Sequence, residues 1–270
     1  MTSASFWRRS ASVSIAGAIL WVGVPASAVE GWQSTGSMSE TRLLDSWHGG
    51  VAVTLSDGRV FVAGGRDIGP NGTIARASAE IFNPSSGTWS SAGSMSVPRW
   101  DHTATLLTDG RILLAGGNSA SGYAEGHTAS AEIFDPSVEG FTSTGSMSVP
   151  RMNHTAVVLS DGRVLISGGR SSNFNYLASA EIFDPATGAF SPAASPPEAK
   201  TGGFGVLLAD GRVLVTGGIV PYVSTNTAAV YDPVSNSWMS VGPMTTIRTY
   251  HTATRLGDGR VLIVGGERIR

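Results

Sequence analysis

Arg99-Trp100-Asp101-His102-Thr103-Ala104-Thr105-Leu106-Leu107-Thr108-Asp109-Gly110-Arg111-Ile112-Leu113-Leu114-Ala115-Gly116-Gly117 is the stretch that decides the fold. Two short apolar runs flank Asp109-Gly110, a dipeptide suited to a tight hairpin turn. The second run stops at Gly116-Gly117, where the backbone can take positive φ or approach another segment closely. Downstream, Ala131-Glu132-Ile133-Phe134-Asp135-Pro136 reads as a third strand running into a turn, and Phe141 opens a fourth. The stretch thus predicts a four-stranded antiparallel unit with strands a (102–107), b (111–115), c (131–134) and d, which begins near 141.

The unit recurs through the chain. Asp-Gly-Arg begins at Asp57, Asp109, Asp161, Asp210 and Asp258, at spacings of 52, 52, 49 and 48, and Gly-Gly follows at Gly64, Gly116, Gly168, Gly217 and Gly265. The third-strand block occurs at Ala79, Ala131 and Ala180, with Ala228-Ala229-Val230-Tyr231-Asp232-Pro233 as a looser copy, and Trp89, Phe141, Phe190 and Trp238 mark the fourth strands. Five repeats begin and four are complete. Composition agrees: 35 of 270 residues are Gly, 14% are charged and Lys200 is the one lysine, which excludes a bundle of solvent-exposed helices. A net charge of −2 leaves no electrostatic footprint for nucleic acid. The absence of Cys excludes a disulfide framework, a thiolate metal site and a Cys nucleophile.

Gly-Gly after strand b, paired aromatics in strands c and d, and Arg-x-x-His-Thr-Ala openings at Arg99 and Arg151 together resemble the kelch repeat, in its bacterial exported form, and the propeller of galactose oxidase. The resemblance spans residues 29–270. It implies an all-β, kelch-type β-propeller of four-stranded antiparallel blades, about five blades with the last incomplete. Small Thr, Ala and Gly residues suit an innermost strand, and aromatics suit the wider outer gaps. Gly31 to Met38, with Trp32, matches a strand d and is expected to close the ring against the incomplete last repeat, giving 19 strands. The alternative is an open, truncated form of a larger ring with exposed strand edges.

Residues 1–28 read as a signal peptide: Arg8 and Arg9 precede an apolar run from Ala11 to Val24, and Ala26-Ser27-Ala28 offers a small-residue cleavage pattern. An uncleaved anchor is the alternative, although the run is shorter than the ~20 residues of a span. Twin-arginine export is a second route. Cleavage leaves an exported mature chain with no membrane segment.

In such a blade the a–b and c–d turns share one face, and they are nearly identical in every repeat. The b–c and d–a loops share the other, and they diverge, which places function there. Candidate ligand-binding residues on that rim are Arg99, Trp100, Asp101, Tyr123, Arg151, Asn153, Arg170, Tyr176, Arg248 and Tyr250. Rigid aromatics, bidentate Arg donors and Asn suit a protein or glycan partner. Arg99, Arg151 and Arg248, with Lys200 in register, read either as structural partners of Glu80, Glu132 and Glu181 or as a cationic ring for an acidic sugar. His102, His154 and His251 also share a register, but Gly50 and Gly203 break it, so no metal is assigned. Of 11 Asp, only Asp45, Asp67 and Asp101 lie outside the repeat pattern; Asp101 is the best-placed acid–base group, yet Asn153 and Tyr250 occupy its register, so no catalytic residue is assigned. No cofactor motif occurs. Copper radical oxidase chemistry of the galactose oxidase type needs a Tyr linked to Cys and is excluded. A carbohydrate-active enzyme similar to kelch mutarotases acting on sialic acids, and a purely structural repeat protein, are the alternatives to a binding module.

Overall fold

The structure is a computed structural model; it describes residues 34–43, 51–69, 72–120, 126–172 and 175–269. The signal segment 1–28 lies outside them. Every regular element described is a strand.

Blade I consists of β1 (Val51–Thr54), β2 (Val60–Ala63), a hairpin of β3 (Arg66–Gly69) and β4 (Gly72–Ala75), then β5 (Ser78–Asn83) and β6 (Thr88–Ser94). Blade II consists of β7 (Thr103–Leu106), β8 (Ile112–Ala115), β9 (Ala131–Asp135) and β10 (Gly140–Ser143). Blade III has β11 (Thr155–Val158), β12 (Val164–Ser167), the hairpin β13 (Arg170–Ser171) and β14 (Asn175–Tyr176), β15 (Ala180–Asp184) and β16 (Ala189–Ala193). Blade IV has β17 (Phe204–Leu207), β18 (Val213–Thr216), the hairpin β19 (Ile219–Val220) and β20 (Val223–Ser224), β21 (Ala228–Asp232) and β22 (Ser237–Val241). Among the described residues blade V has β23 (Thr249–Arg255) and β24 (Val261–Glu267). Each complete blade is an antiparallel sheet in the order a-b-c-d, as the repeat predicts. The short b–c hairpins are an addition: those stretches diverge too much between repeats to show a strand pattern.

Successive a strands, β1, β7, β11, β17 and β23, are neighbours at the centre. Alternation along strand b sends side chains into two different cores. Ile112 and Leu114 pack with Phe61, Ala63 and Ile81 of blade I, whereas Leu113 and Ala115 pack with Val164, Ile166 and Phe183 of blade III. Farther out, Phe61 stacks on Phe134 at 4.3 Å, and Phe134, Phe183 and Tyr231 lie 4.9, 4.8 and 5.1 Å from the strand-d aromatics Phe141, Phe190 and Trp238.

A buried arginine joins blade II to blade I and another joins blade III to blade II. The main chain of Arg99 is held by blade I, accepting from Gly65 N at 2.9 Å and donating to Arg76 O at 3.0 Å. Its fully buried guanidinium works in blade II, donating to Gly116 O (2.9 Å), Ser130 O (3.0 Å), Ser130 Oγ (3.2 Å) and Glu132 Oε1 (2.8 Å). Glu132 also accepts from Ser96 N at 2.8 Å. Arg151 repeats the arrangement with Gly168, Ser179 and Glu181, and Arg42 does so with Gly64, Ser78 and Glu80. The Gly-Gly pairs make room for it: a Cβ at Gly64 or Gly116 would collide with the carbonyl of Arg99 or Arg151, and both glycines have positive φ.

The segment expected to be a closing strand d is only partly described. Residues 34–38 are not a strand. Gly36 donates to Gly87 O at 2.9 Å, just as Gly145 donates to Gly188 O at 2.8 Å, so this segment enters blade I as a d–a connection. Residues 31–33 lie outside the described set.

Removing the carboxylate from one seam leaves its arginine buried with a lost ion partner, a situation that costs about 3–5 kcal/mol. Glu132→Ala is expected to lower the denaturant-derived stability by that amount. Installing the blade IV residues together in the same seam (Ser96→Pro, Val97→Glu, Arg99→Lys and Glu132→Ala) is expected to cost less than Glu132→Ala alone.

Candidate ligand-binding rim

The a–b and c–d turns meet on one face, where Arg59 of the first a–b turn reaches Glu139 of a c–d turn at 3.0 Å. The d–a segments and b–c loops meet on the other, bridged pairwise at Leu43 and Arg66, Trp100 and Asn118, Met152 and Arg170, and Thr201 and Ile219.

At the centre of that second face lies a feature the sequence does not display. The second residue after each seam cation takes a left-handed backbone in four successive blades: Asp101 (φ 56°), Asn153 (51°), Gly202 (64°) and Tyr250 (53°). Three hydrogen bonds link these four residues across successive blades. Asn153 N donates to Asp101 O, Gly202 N to Asn153 O, and Tyr250 N to Gly202 O, all at 3.0 Å. Thr201 and Thr249 hydroxyls donate to the carbonyls of Asn153 and Gly202, also at 3.0 Å. Three of the four are non-glycine residues held in a conformation that is unusual for them, and such positions concentrate at functional sites.

The side chains on this arc converge. Asn153 Nδ2 donates to Asp101 Oδ2 at 2.9 Å, and the Tyr250 ring stands over Gly202. Burial raises the Tyr250 hydroxyl pKa, the negative charge of Asp101 adds to the rise, and Arg170 opposes it, so groups from blades II, III and V share one electrostatic neighbourhood. Tyr176, half-buried, meets Tyr222 edge-on at 6.2 Å, and Tyr222 is 71% exposed at the tip of β19–β20. Ile68 and Ile74 on β3–β4 and Val223 on β20 are exposed as well.

The other candidates separate from this cluster. Arg99 and Arg151 are fully buried in their blade seams, and Lys200 is buried beside Thr227 and Glu198. The cationic ring considered for an acidic sugar is therefore not formed, because these groups turn into the blades to satisfy carbonyls and carboxylates. Arg248 is half-buried and donates to Gly265 O at 2.6 Å. Trp100 is buried, donates to Ala120 O at 3.3 Å and lies under the guanidinium of Arg66, 5.2 Å from the ring centroid. Tyr123 lies outside the described residues. Arg42, the first seam arginine, escapes the Asp-Gly-Arg register because five extra residues separate it from its strand a. The signal for it is Met-Ser three residues ahead, in Met38-Ser39, Met95-Ser96 and Met147-Ser148.

The histidines do not converge. His102, His154 and His251 each pack against the first Gly of the preceding Gly-Gly pair, at Gly64, Gly116 and Gly217. His154 Nε2 contacts Thr103 Oγ1 and His251 Nε2 contacts Thr216 Oγ1, both at 2.8 Å. Among the described residues no group of three or more His, Cys, Asp or Glu is placed to hold a metal. Burial, with the neighbouring arginine adding to it, lowers the pKa of His154 to about 3 and that of His251 to about 4; burial also holds His102 well below its usual value. These imidazoles are neutral when folded and take up protons when unfolded below pH ~6.5. Stability is therefore expected to fall as pH drops from ~6.5 toward 4, each histidine contributing up to ~1.4 kcal/mol per pH unit. Thermal melts of His154→Gln across this window should show a shallower dependence than the parent chain.

Comparison with known proteins places these observations. The model of the KLHDC2/KLHL20/DRC7 Kelch-repeats domain matches residues 49–266. Kelch-like protein 33 of Homo sapiens is 29% identical over 123 residues, which are 45% of this chain and 20% of that protein, so the match spans about a fifth of the relative's length. A solved structure described as that of YjhT superposes with a TM-score of 0.71 over 88% of this chain and 81% of its own, at 14% identity. At that identity the likeness is one of fold.

Proposed function

The chain belongs to the Kelch-repeat family, and on that footing we propose that it is an exported binding module that captures a protein or glycan on the b–c/d–a face of its propeller. The observation that carries this reading is the left-handed arc Asp101–Asn153–Gly202–Tyr250. One backbone arrangement is repeated four times while the side chain on it changes from carboxylate to amide to hydrogen to phenol. A repeated frame with divergent groups is what a binding face on a repeat fold requires. The hairpins around it carry exposed Tyr222, Ile68 and Val223. Arg170 and Tyr176 add a bidentate donor and a rigid ring. The basic pair Arg8-Arg9, the apolar run and Ala26-Ser27-Ala28 support export after cleavage near residue 28.

A second reading, catalysis on a sugar, is favoured by the buried carboxylate of Asp101, which accepts from Asn153 Nδ2 at the centre of the rim and could serve as an acid–base group.

A glycan array and a protein pull-down with the mature chain test the first reading. Binding is expected to weaken at least ~tenfold in Arg170→Ala/Tyr176→Ala/Tyr222→Ala, with the thermal melt unchanged. Binding that survives the triple change would place the site elsewhere. Anomerisation of a sialic acid followed by NMR decides the second reading: acceleration that vanishes in Asp101→Asn would establish catalysis.

A further inference from the structure

One position on the turn face, opposite the rim, changes chemistry from blade to blade. The third residue after the c–d proline takes a left-handed backbone in all four complete blades: Gly87 (φ 68°), Glu139 (50°), Gly188 (68°) and Asn236 (47°). Glycine adopts this conformation freely, whereas a glutamate does so at a cost. What Glu139 does there is visible. Its Oε1 accepts from Arg59 Nη1 of blade I at 3.0 Å, and Pro136 O accepts from Arg59 Nη2 at 3.5 Å, so both bonds span the wedge between blades I and II.

The span weakens around the ring. Between blades II and III it is reduced to Arg111 Nη2 and Pro185 O, 3.5 Å apart. Between blades III and IV, among the described residues, no hydrogen bond from Arg163 crosses to blade IV; its Nε and Nη2 stay on Asp161 Oδ2 of its own turn, at 2.8 and 2.7 Å. Asn236, the counterpart of Glu139, is committed elsewhere, its Oδ1 accepting from Ala194 N and from the Tyr231 hydroxyl, both at 2.9 Å. The wedge here is a cleft of about 530 Å³, a size typical of ligand sites, walled by Arg163, Arg212, Asp161, Asp210 and Asp232 and edged by Val234, which is 95% exposed.

The charged set matches the one at the wedge that Glu139 enters. Asp57, Arg59, Asp109, Arg111 and Asp135 are the register counterparts of the five charged residues of the cleft. The aspartates do not bar a carboxylate, because each Asp of an a–b turn already accepts from the N–H and Nε of its own arginine, and Asp232 from Val234 N.

We infer that the cleft between blades III and IV binds a glutamate side chain presented on a tight turn of a partner protein, in the place that Glu139 takes between blades I and II. The carboxylate accepts from Arg163 Nη1, the donor left over while Nε and Nη2 hold Asp161. A residue beside the glutamate, as Val138 is beside Glu139, packs on Val234. A surface ion pair is weak alone, and enclosure with charge assistance strengthens it. The site lies on the face away from the rim and does not depend on the rim's function.

The test is fluorescence anisotropy of the full chain with a labelled cyclic peptide of the blade II turn, Asp-Pro-Ser-Val-Glu-Gly. Saturable binding with Kd below about 1 mM is expected, weakened at least ~tenfold when the peptide's Glu is changed to Gln. Arg163→Met should remove the difference between the two peptides. Asn236→Glu, which puts the blade II residue at the same left-handed position, should fill the cleft from within and abolish binding; where that variant fails to fold, Arg163→Met decides. The rim variant Arg170→Ala/Tyr176→Ala/Tyr222→Ala should bind the peptide as the parent chain does. Equal binding of the Glu and Gln peptides, absence of saturable binding, or a difference that survives Arg163→Met overturns the proposal. So does glutarate competing as tightly as the peptide binds, since that outcome gives the cleft to a free small acid.

Discussion

Arg99 and Arg151 each have the main chain bonded to one blade and the guanidinium bonded to the next, and this double membership fixes the spacing and angle of the sheets. Apolar packing between sheets is strong but non-directional; it tolerates sliding. A guanidinium that must satisfy Gly116 O, Ser130 and Glu132 together tolerates little. Burying the ion pair is costly, and replacing it with apolar residues is often neutral or better for stability. What it supplies here is register. The glycine richness follows from the same contact, because the preceding Gly-Gly must admit the arginine carbonyl.

The seam also builds the rim. Once the arginine is anchored, the chain has to reverse within a few residues to begin strand a, and the left-handed residue two positions on makes that turn. At Asn153 and Gly202 both N–H and C=O are committed to the neighbouring blades, so the side chain at this position can vary without disturbing the frame. Asp101, Asn153 and Tyr250 are therefore brought together by a structural demand, and their chemical difference is superimposed on it. The same demand explains why Arg99 and Asp101, two residues apart, have such different roles: one is the anchor, the other the group presented.

Much of this was legible in the sequence, and the limits have physical causes. Asp-Gly turns and Gly-Gly stops are local, so the strands of blade II fall within about one residue of their expected bounds. The recurrence of Arg99 with Glu132, and of Arg151 with Glu181, pointed to their pairing. Which way the guanidinium turns is a tertiary matter, and the same recurrence equally suited a cationic rim that the structure does not form. The left-handed arc was invisible because Asp, Asn, Gly and Tyr share no side-chain property; only the backbone repeats. Arg42 was hidden by a shift of register, although its Met-Ser prefix was in plain view.

Blade IV shows how far the seam can be simplified. With Gly203 in the histidine position, Ala229 in the glutamate position and Lys200 in the arginine position, a cavity opens that is lined by Lys200, Gly203, Val215, Ala229 and Trp238. Lys200 turns instead to Thr227 and to Glu198 of its own segment. The blade still forms all four strands, because Tyr231, Trp238 and Val215 keep the outer core filled. Apolar packing is thus sufficient for a blade, and the polar seam is what a blade adds when its neighbour's position must be fixed. Blade V has the reverse balance: its seam donors are intact, while Leu262 and Val264 face solvent.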